Sequence, residues 1–348
     1  MSTIEIPLEL SRMRQLGSLR VAVLMGGTSG EREVSLVSGA SVAVALGRCV
    51  QAKSLRSVRA IEIDSSGRWI IEGAAHDAAS ALNMCSDVDV FFLALHGGAG
   101  EDGTLQGLFA AAGRRHTGSG VQASAICMDK AATRGLAQAS GLRVAPGCVV
   151  SALAFARDPR VELLHVRALA GGDAGWVVKP RRGGSSVNTH LVLAANELGA
   201  AITKVLASGD DALIEARIAG VEVSCGVLGT CALPPIEIQP DPQRFFDYEQ
   251  KYSESGAREI CPAVSLTPEQ DRRVREATLA LHASCGCSGY SRSDFIVPND
   301  GDPVLLEINT LPGLTPRSLL PQEALVAGIS YDELCLWILE NACSEQRS

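Results

Sequence analysis

The stretch VLLEINTLPG, residues 304–313, decides how the C-terminal part of the chain folds. It begins as the aliphatic run of a buried strand, places Glu307 and Asn309 two residues apart, and stops at Pro312 and Gly313. Because side chains alternate between the two faces of a strand, the carboxylate and the amide project from the same face. A buried strand therefore ends in two polar groups directed to one place.

The segment SRSDFIV, just before it, supplies a partner strand. The intervening PNDGDP has the Asp-Gly and proline content of a hairpin turn. We expect Val297 to pair with Val304. In that register Asp294 lies directly opposite Glu307. Two carboxylates that face each other across a sheet repel, so this hairpin needs a cation.

Two kinds of cation would meet that need. One is Arg292, which in the same register faces Asn309 and can neutralise the carboxylates as a structural ion pair. The other is a divalent metal. Since Asp294, Glu307 and Asn309 offer only oxygen ligands, Mg²⁺ suits them better than zinc. The geometry of the hairpin leaves both alternatives open.

The first third of the chain alternates strands and helices. LRVAVLMGG and DVDVFFLAL predict buried strands. EREVSLVSGASVAVAL predicts a helix with one face formed by Val34, Val37, Ser41 and Val44. This alternation indicates an α/β domain with a parallel sheet over roughly residues 18–115.

A second unit follows, in which MDKAATRGLAQASG and AANELGAAITKVLASG predict helices and GWVVKP predicts a strand. From DALIEARI onward the pattern predicts strands joined by short turns. Residues 239–263 are long, polar and without clear periodicity. Loops of that length inside compact domains usually act as lids or binding loops.

Composition excludes several classes of protein. With 348 residues and 46 % apolar content, the chain can form two or three domains. A formal charge of −8 argues against a nucleic-acid binder, which needs a basic surface. We expect no membrane span and no signal peptide, and hence a cytoplasmic protein. Of eleven cysteines only Cys285 and Cys287 lie close together, so the prediction is reduced thiols, most of them buried.

The stretch KPRRGGSSVNTH has the composition of a phosphate-binding loop. Lys179 stands at a strand end, followed by two glycines, whose amides can approach closely, and two serines. A flexible surface turn would look similar. HGGAG resembles the oxyanion loop of esterases, but no G-x-S-x-G follows, which excludes that class of hydrolase.

Together these segments resemble the D-alanine–D-alanine ligases of the ATP-grasp superfamily. The resemblance covers roughly residues 18–340 and follows the family's motif order: VAVLMGGTSGEREVSLVSG, ALHGGAGEDGTLQG, SAICMDK, KPRRGGSSV, FDYEQKY, CPA, RSDF and LLEINTLPGLTPRSLLP. It implies an α/β, three-domain ATP-grasp fold. The domains would be an N-terminal substrate domain (18–118), a central domain (119–214) and a C-terminal catalytic domain (215–348) with a lid at 239–263.

The resemblance also implies a reaction and its cofactors. ATP phosphorylates the carboxylate of one D-alanine, and the amine of a second displaces phosphate, which supplies a peptidoglycan precursor. Two Mg²⁺ ions, which Mn²⁺ can replace, would be held by Asp294, Glu307 and Asn309. The residues that match the ATP-binding positions are Lys130, Lys179, Ser186, Glu215, Glu222 and Lys251.

The remaining matches concern the two amino-acid substrates. By resemblance, the catalytic set is Glu31, Ser185, Tyr252, Arg292 and Ser318. Glu31 would bind the first ammonium, unless it only compensates a helix dipole. His96 would lie near the first substrate, unless it is structural. Arg292 would stabilise the acylphosphate and the tetrahedral intermediate. The second carboxylate would be bound by Gly313, Ser318 and Leu319.

Three departures from the family pattern bear on the substrate. Ser291 and Asn188 replace glycines, and Ser293 replaces an apolar residue. We expect Asn188 to adopt a positive φ and the Ser293 hydroxyl to need a backbone partner. A paralogue that joins other amino acids is the alternative function. Tyr252 argues against a depsipeptide ligase, and the complete set of charged residues argues against a non-catalytic regulator. The family suggests a homodimer.

Overall fold

Three β-sheets organise the chain, as seen in a computed structural model that describes residues 16–171, 174–184, 187–239 and 258–344. The first sheet has the order β4-β3-β2-β1-β5. Its strands are β1 Arg20–Gly26, β2 Ser57–Ile63, β3 Trp69–Ile71, β4 Ala74–His76 and β5 Val90–Leu93. β1 pairs in parallel with β2 and β5, whereas β3 and β4 add an antiparallel edge. The predicted parallel sheet is therefore confirmed only for its centre.

Helix α1, Arg32–Gln51, packs on this sheet through its small residues. Gly39 lies so close to Met25 that a Cβ at this position would stand 2.3 Å from the Met25 Cβ. This close approach turns the predicted face outward, with Val37 57 % and Val44 61 % exposed. The face with Val42 and Leu46 is the buried one. The apolar spacing was thus correct for a helix but did not identify its packed side.

The same helix qualifies the expectation of no membrane span. Among the residues that the structure describes, α1 alone is long and apolar enough to cross a bilayer, with 20 residues and a mean hydropathy of 1.4. In the fold it contacts β1, β2 and the last helix, and 39 % of its apolar window is buried. These contacts are those of a helix packed on a sheet.

The second sheet is antiparallel, in the order β7-β10-β8-β9. Its strands are β7 Gly147–Val150, β8 Trp176–Pro180, β9 His190–Val192 and β10 Ala212–Ala216. Helices α7, Pro159–Ala170, and α8, Leu198–Leu206, cover one face, and their core includes Val166, Val178 and Ile202. Strand β8 ends just after Lys179, as predicted.

The third sheet has the order β14-β13-β11-β15-β16-β6, with β12 paired to β11. Its strands are β6 Arg143–Val144, β11 Val221–Leu228, β12 Cys231–Ala232, β13 Ile236–Gln239, β14 Arg258–Ile260, β15 Tyr290–Val297 and β16 Val304–Asn309. β14 pairs with β13, so the loop predicted over residues 239–263 has strands at its two ends. Residues 240–257 lie outside the described part of the chain, and the lid remains a prediction.

The remaining helices are α2 Ala78–Met84, α3 Thr104–Ala111, α4 Val121–Met128, α5 Lys130–Ala139, α6 Ala152–Arg157, α9 Pro268–Ser284, α10 Leu319–Val326 and α11 Tyr331–Ser344. Helices α9, α10 and α11 contradict the expectation that only strands and short turns follow DALIEARI, and α9 is the longest of them. A capping box between Thr267 and Gln270 begins it, and Val274 and Leu281 face the core. Its many charged residues conceal this apolar spacing.

The β15–β16 hairpin contains a bulge. Arg292 pairs with Asn309 and Asp294 with Glu307, as predicted, but the next pair is Phe295 with Leu305. Leu306 is therefore the extra residue.

The predicted pairing of Val297 with Val304 is wrong, because Ile296 takes that place. The bulge turns Leu305 from the polar face to the apolar face, where it packs with Phe295.

Helix α10 lies on the polar face of the third sheet, where Gly226 of β11 leaves room for it. A Cβ at position 226 would stand 2.4 Å from Leu320 Cδ1 and 2.5 Å from Glu323 Oε2. Both side chains are fully buried, so neither can move aside easily.

We expect Gly226→Ala to destabilise the fold by about 1–3 kcal/mol through overpacking. Gly135→Ala is the matched control, because this glycine lies within α5 with nothing in reach of a new Cβ. There the helix should gain about 0.5–1 kcal/mol. Urea unfolding measures both, and equal stabilities of the two variants would contradict the packing of α10.

Candidate active site

Four side chains of the hairpin project together from the polar face of the third sheet: Arg292, Asp294, Glu307 and Asn309. Arg292 donates to Asp294 twice, from Nε to Oδ1 at 2.9 Å and from Nη2 to Oδ2 at 2.8 Å. Ser224, on the neighbouring strand β11, donates its hydroxyl to Asp294 Oδ1 at 2.6 Å. Asp294 is thus held from two sides, and Glu307 faces it across the hairpin.

Each carboxylate has its own cation. Lys130 Nζ, at the start of α5, lies 3.6 Å from Glu307 Oε2. Burial opposes the charge of Arg292, but Asp294 and then Glu307 raise its pKa above the ordinary value. Arg292 therefore does not neutralise both carboxylates alone, as the ion-pair alternative assumed. The repulsion is offset by one cation from the sheet and one from a helix.

A second cluster of charges lies between α5 and the second sheet. Glu215 is buried and forms ion pairs with Arg134 Nη1 and with Lys179 Nζ, the latter at 2.7 Å. Burial lowers the pKa of Lys130 and the charge of Lys179 adds to this, while Glu307 and Glu215 act in the opposite direction. Two buried lysines therefore lie close together, each beside a carboxylate.

The loop after β8 is tied to the start of α5. Lys130 donates its backbone amide to the Arg181 carbonyl at 3.1 Å and its Nζ to the Gly183 carbonyl. Arg181 forms a two-point ion pair with Asp129, at 2.9 and 2.6 Å. Gly183 has a φ of +123°, which side chains rarely tolerate. The glycine loop is thus placed directly over Lys130, whereas Ser185 and Ser186 lie outside the described residues.

Glu31 reaches the same region from the first sheet. It is the N-cap of α1, but its side chain makes no capping hydrogen bond. Its Oε2 lies 2.5 Å from where a Cβ of Gly97 would be and 2.7 Å from that of Gly184. Two glycines thus leave the space that this carboxylate occupies. The geometry gives Glu31 a place between two loops and not the role of a helix cap.

Glu101 forms a second carboxyl beside Glu31. It is 9 % exposed and accepts a hydrogen bond from the Gly97 amide at 2.7 Å. Burial raises its pKa to about 8, and the charge of Glu31 contributes. It lines one small cavity together with Lys130, Gly184 and Glu307.

His96 is buried and neutral. Its Nδ1 lies 3.1 Å from the Leu311 carbonyl, which can only accept, so Nδ1 carries the proton. Its Nε2 then accepts from the Ser38 hydroxyl at 3.0 Å. Burial lowers its pKa to about 4. His96 therefore joins the first sheet to the segment that follows β16.

The stretch after β16 forms a further polar corner. Ser318 is the N-cap of α10, and its hydroxyl accepts from the Thr315 amide at 3.1 Å instead of capping the helix. A Cβ on Gly313 would lie 2.8 Å from the Ser318 Oγ. Gly313, Ser318 and Leu319 thus come together at the start of a helix, where backbone amides point outward.

Glu222 and the three departures have defined places. Glu222 lies on β11 on the same face as Asp294. Asn188 has a φ of +58°, as predicted. The Oγ of Ser291 lies 2.6 Å from the Nδ1 of His282, within hydrogen-bond distance. The Ser293 hydroxyl is buried without a hydrogen-bond partner in the described part of the chain, so the expected backbone partner is absent there.

Comparisons with known proteins decide the family. The model "D-ala D-ala ligase C-terminus" matches residues 136–340, and "D-ala D-ala ligase N-terminus" matches residues 20–83 and 72–119. The chain belongs to the D-alanine–D-alanine ligase family. These matches span both sheets that form the site, the N-terminal sheet and the start of α1, where Glu31 lies.

Individual family members agree along nearly their whole length. The D-alanine–D-alanine ligase of Gluconobacter oxydans (strain 621H) is 41 % identical over 329 residues, covering 93 % of this chain and 99 % of its own. A ligase of the same name from Leptospira interrogans is 35 % identical over 356 residues, covering 92 % of this chain and 97 % of its own.

Solved structures of the family have the same fold, which is that of the ATP-grasp ligases. A Bacillus anthracis D-alanine–D-alanine ligase complexed with ATP gives a TM-score of 0.74 at 30 % identity, with 93 % of this chain and 97 % of that chain covered. The VanG D-Ala:D-Ser ligase of Enterococcus faecalis gives 0.77 at 29 % identity, with 93 % and 99 % covered.

Sequence reasoning missed three charged residues of this family member's site. Arg134 binds Glu215, Glu101 neighbours Glu31, and Glu323 lies over Gly226 beside Arg292. The carboxylate of Glu323 is fully buried against Gly226. Burial raises its pKa well above the ordinary value, and Arg292 opposes this. Glu101 could have been noticed from its place in GGAGED, but no local signal marks Arg134 or Glu323.

We predict that Glu101→Gln changes how stability depends on pH. The folded protein holds the Glu101 proton up to about pH 8, whereas the unfolded chain releases it near pH 4.5. Stability should therefore fall as the pH rises through this window. Glutamine has no carboxyl proton to release, so the stability of the variant relative to wild type should increase by about 3 kcal/mol from pH 5 to pH 8. Urea unfolding at both pH values measures it, and a constant difference would contradict the raised pKa.

Proposed function

We propose that this protein is an ATP-dependent ligase that joins two D-alanines through an acylphosphate, in the synthesis of a peptidoglycan precursor. The observation that carries the proposal is the meeting of Lys130, Arg292 and the opposed pair Asp294 and Glu307 on one polar face. Phosphoryl transfer requires positioning and charge neutralisation more than covalent help from the protein. Buried cations beside oxygen ligands are suited to both.

Lys130 and Lys179 would hold the α- and β-phosphates. Both are buried and each neighbours a carboxylate, Glu307 for the first and Glu215 for the second. A phosphate group can take over as the partner of each lysine, because Arg134 stays paired with Glu215 and Mg²⁺ would neutralise Glu307. Glu215 and Glu222 would hold adenine and ribose. We also propose that Ser186 and Lys251 bind ATP, although both lie outside the described residues.

Asp294, Glu307 and Asn309 would hold two Mg²⁺ ions, or Mn²⁺ in their place. The donor set fits, since the two carboxylates and the amide offer hard oxygens on one face of the sheet. Within the described residues no cluster of three or more His, Cys, Asp or Glu side chains is placed to hold a metal. Two carboxylates and an amide therefore need phosphate oxygens to complete the coordination, as magnesium sites often do. When bound, Mg²⁺ neutralises charge on the β- and γ-phosphates.

Arg292 would stabilise the reacting carboxyl group. Two of its N–H groups are used by Asp294, which fixes the plane of the guanidinium and leaves three N–H groups. Such a fixed cation can follow charge as it develops on the acylphosphate and then on the tetrahedral oxygen. Lysine would lack both the second anchoring bond and the planar geometry.

Substrate binding would use the corners on either side. Glu31 would bind the ammonium of the first D-alanine, with Ser185 and Tyr252, outside the described residues, as its hydroxyl partners. His96 would line this end as a neutral imidazole. Ser318, Leu319 and the Gly313 backbone would bind the carboxylate of the second D-alanine at the start of α10, where the helix dipole favours an anion.

Domain organisation, assembly and location are part of the proposal. The three sheets support domains near residues 18–118, 119–214 and 215–348, with the second boundary after Ala216 so that β10 stays whole. A homodimer would bury apolar surface such as the exposed Val37 and Val44. We place the protein in the cytoplasm, with small-molecule substrates and no nucleic-acid or membrane partner.

A second candidate differs in the amino acid that is joined. The similarity to a D-Ala:D-Ser ligase of known structure favours a ligase with another second substrate. The changes at Ser291, Ser293 and Asn188 do not separate the two candidates, because Ser291 and Ser293 point to the opposite face of β15 from Arg292.

A substrate panel tests the choice. We expect phosphate release to require D-alanine among a set of D- and L-amino acids, with D-alanyl-D-alanine as the product found by mass spectrometry. D-Lactate as second substrate at pH 6 should give almost no ester, because Tyr252 stands where depsipeptide ligases have histidine. A preference for D-serine would favour the second candidate, and substantial ester would move the protein to the depsipeptide group.

Glu307→Gln tests the metal site. The change keeps the shape and removes one charge, so turnover should fall on the order of 100-fold or more and the Mg²⁺ requirement should rise. Glu269→Gln, an exposed position on α9, is the control and should keep wild-type turnover. Thermal unfolding checks that both variants fold. Near-normal turnover of Glu307→Gln at low Mg²⁺ would contradict the assignment.

A further inference from the structure

Three thiols meet where α4 approaches the start of β15. Cys127 Sγ lies 3.6 Å from Cys287 Sγ, although the two residues are 160 positions apart in the chain. Cys127 also forms a hydrogen bond with Cys285, the C-cap residue of α9. Cys127 and Cys285 are buried and Cys287 is half-buried. A sulfur–sulfur distance of 3.6 Å is a van der Waals contact, about 1.5 Å longer than a disulfide bond.

The two segments that carry the close thiols are already held together. Ser119, in the loop before α4, accepts a hydrogen bond from the Ser288 amide at 3.1 Å. On the other side, the Cys287 amide donates to the His282 carbonyl of α9 at 2.9 Å. The approach of the two sulfur atoms is therefore set by neighbouring backbone contacts. Little chain entropy remains to be lost when a bond forms.

The two thiols also line different cavities. Cys127 lines the small cavity of the proposed active site with Lys130, Glu307 and Asn309. Cys287 lines a separate cavity of about 680 Å³, with Ser288, Gly289 and Trp337 among its walls. An oxidant can thus reach Cys287 from the outer cavity without entering the active site.

We propose that Cys127 and Cys287 are an oxidation site, at which a hydroperoxide converts the two thiols into a disulfide that slows the enzyme. With hydrogen peroxide, the Cys287 thiol gives up its proton and the thiolate attacks one peroxide oxygen, so an S–O bond forms and the O–O bond breaks. The hydroxide that leaves takes up that proton and is released as water. Cys127 sulfur then displaces the hydroxyl group from Cys287, forming the S–S bond and a second water. The two thiols lose two electrons in total, and the peroxide gains them.

The reactivity of the thiols agrees with this order. The hydrogen bonds of Cys127 to Cys285 and Cys287, together with burial, raise the pKa of the Cys127 thiol far above its ordinary value. Cys127 is therefore a poor first nucleophile, and Cys287 is the more exposed of the two. Once Cys287 carries the S–O bond, Cys127 is already in contact with its sulfur.

A disulfide here would disturb the proposed site directly. Closing the gap by about 1.5 Å pulls α4 towards β15, and Lys130 follows Cys127 by three residues while Arg292 follows Cys287 by five. Lys130 Nζ lies 3.6 Å from Glu307 Oε2, so a shift of Lys130 would change this contact. A displacement of about 1 Å at a catalytic group can cost on the order of 100-fold in rate.

The test treats the reduced full-length protein with hydrogen peroxide, blocks free thiols with N-ethylmaleimide and maps peptides without reduction. We expect a Cys127–Cys287 cross-linked peptide that is absent from Cys127→Ser, Cys127→Ala and Cys287→Ser and present in Cys148→Ser, a half-buried thiol of the second sheet. A cross-link to Cys285 instead, or oxidation of Cys287 to sulfinic acid without any cross-link, would overturn the site.

The second readout is ATP turnover before and after peroxide, each protein compared with its own untreated sample. After peroxide, the turnover of wild type and of Cys148→Ser should fall on the order of 100-fold and return with dithiothreitol. The turnover of both Cys127 variants should stay close to that of their untreated samples. A complete cross-link with unchanged turnover would overturn the inhibitory role. This readout rests on the proposed ligase function, but the peptide map does not. A protein without any turnover would therefore count against the ligase function and leave the thiol site to be judged by its cross-link.

Discussion

Asp294 and Glu307 face each other across two adjacent strands near the middle of the third sheet, in a place where little water reaches them. Cations beside the pair stabilise it, because two carboxylates that face each other with little water between them repel strongly. Arg292 comes from the same strand as Asp294, and Lys130 comes from the first residue of α5. The need for the second cation therefore dictates where a whole helix must sit relative to the sheet.

The position of α5 then determines the surroundings of the site. Asp129 caps this helix and binds Arg181, which brings the glycine loop over Lys130. Arg134, one turn further along, pairs with Glu215 on the second sheet. A single helix thus joins two sheets through charged contacts. In the proposed reaction these same cations exchange their carboxylate partners for phosphate, so the charges that hold the fold together also prepare it to bind nucleotide.

The wall of the site beside the first sheet differs from the wall formed by the third sheet in how its titratable groups are accommodated. There Glu31 and Glu101 lie side by side, and burial together with the charge of Glu31 raises the pKa of Glu101 to about 8, although Arg292 acts in the opposite direction. His96 is likewise held neutral. Charge is concentrated on the wall formed by the third sheet, while the wall from the first sheet keeps two titratable groups uncharged. Such a division suits a site that must distinguish a phosphate end from an ammonium end.

How far the sequence could lead is clear from particular residues. The alternation of SRSDFIV and VLLEIN determined which side chains share a face, and the pairing of Asp294 with Glu307 followed from it. The bulge did not follow, since it depends on whether Leu305 finds more apolar contacts beside Phe295 than on the polar face. Helix α9 was missed because its charged surface outweighs its apolar positions, although its capping box was visible in the sequence.

By itself, the sequence determined the type of chemistry. It showed hard oxygen ligands at a strand end, a glycine loop after a strand that ends near Lys179, and a motif order typical of one family. Only the tertiary structure decided which distant side chains come into contact. Arg134 with Glu215, Lys130 with Glu307, and Cys127 with Cys287 join residues 81, 177 and 160 positions apart. No local pattern encodes such contacts, because they exist only after separate elements have packed and removed water from between them.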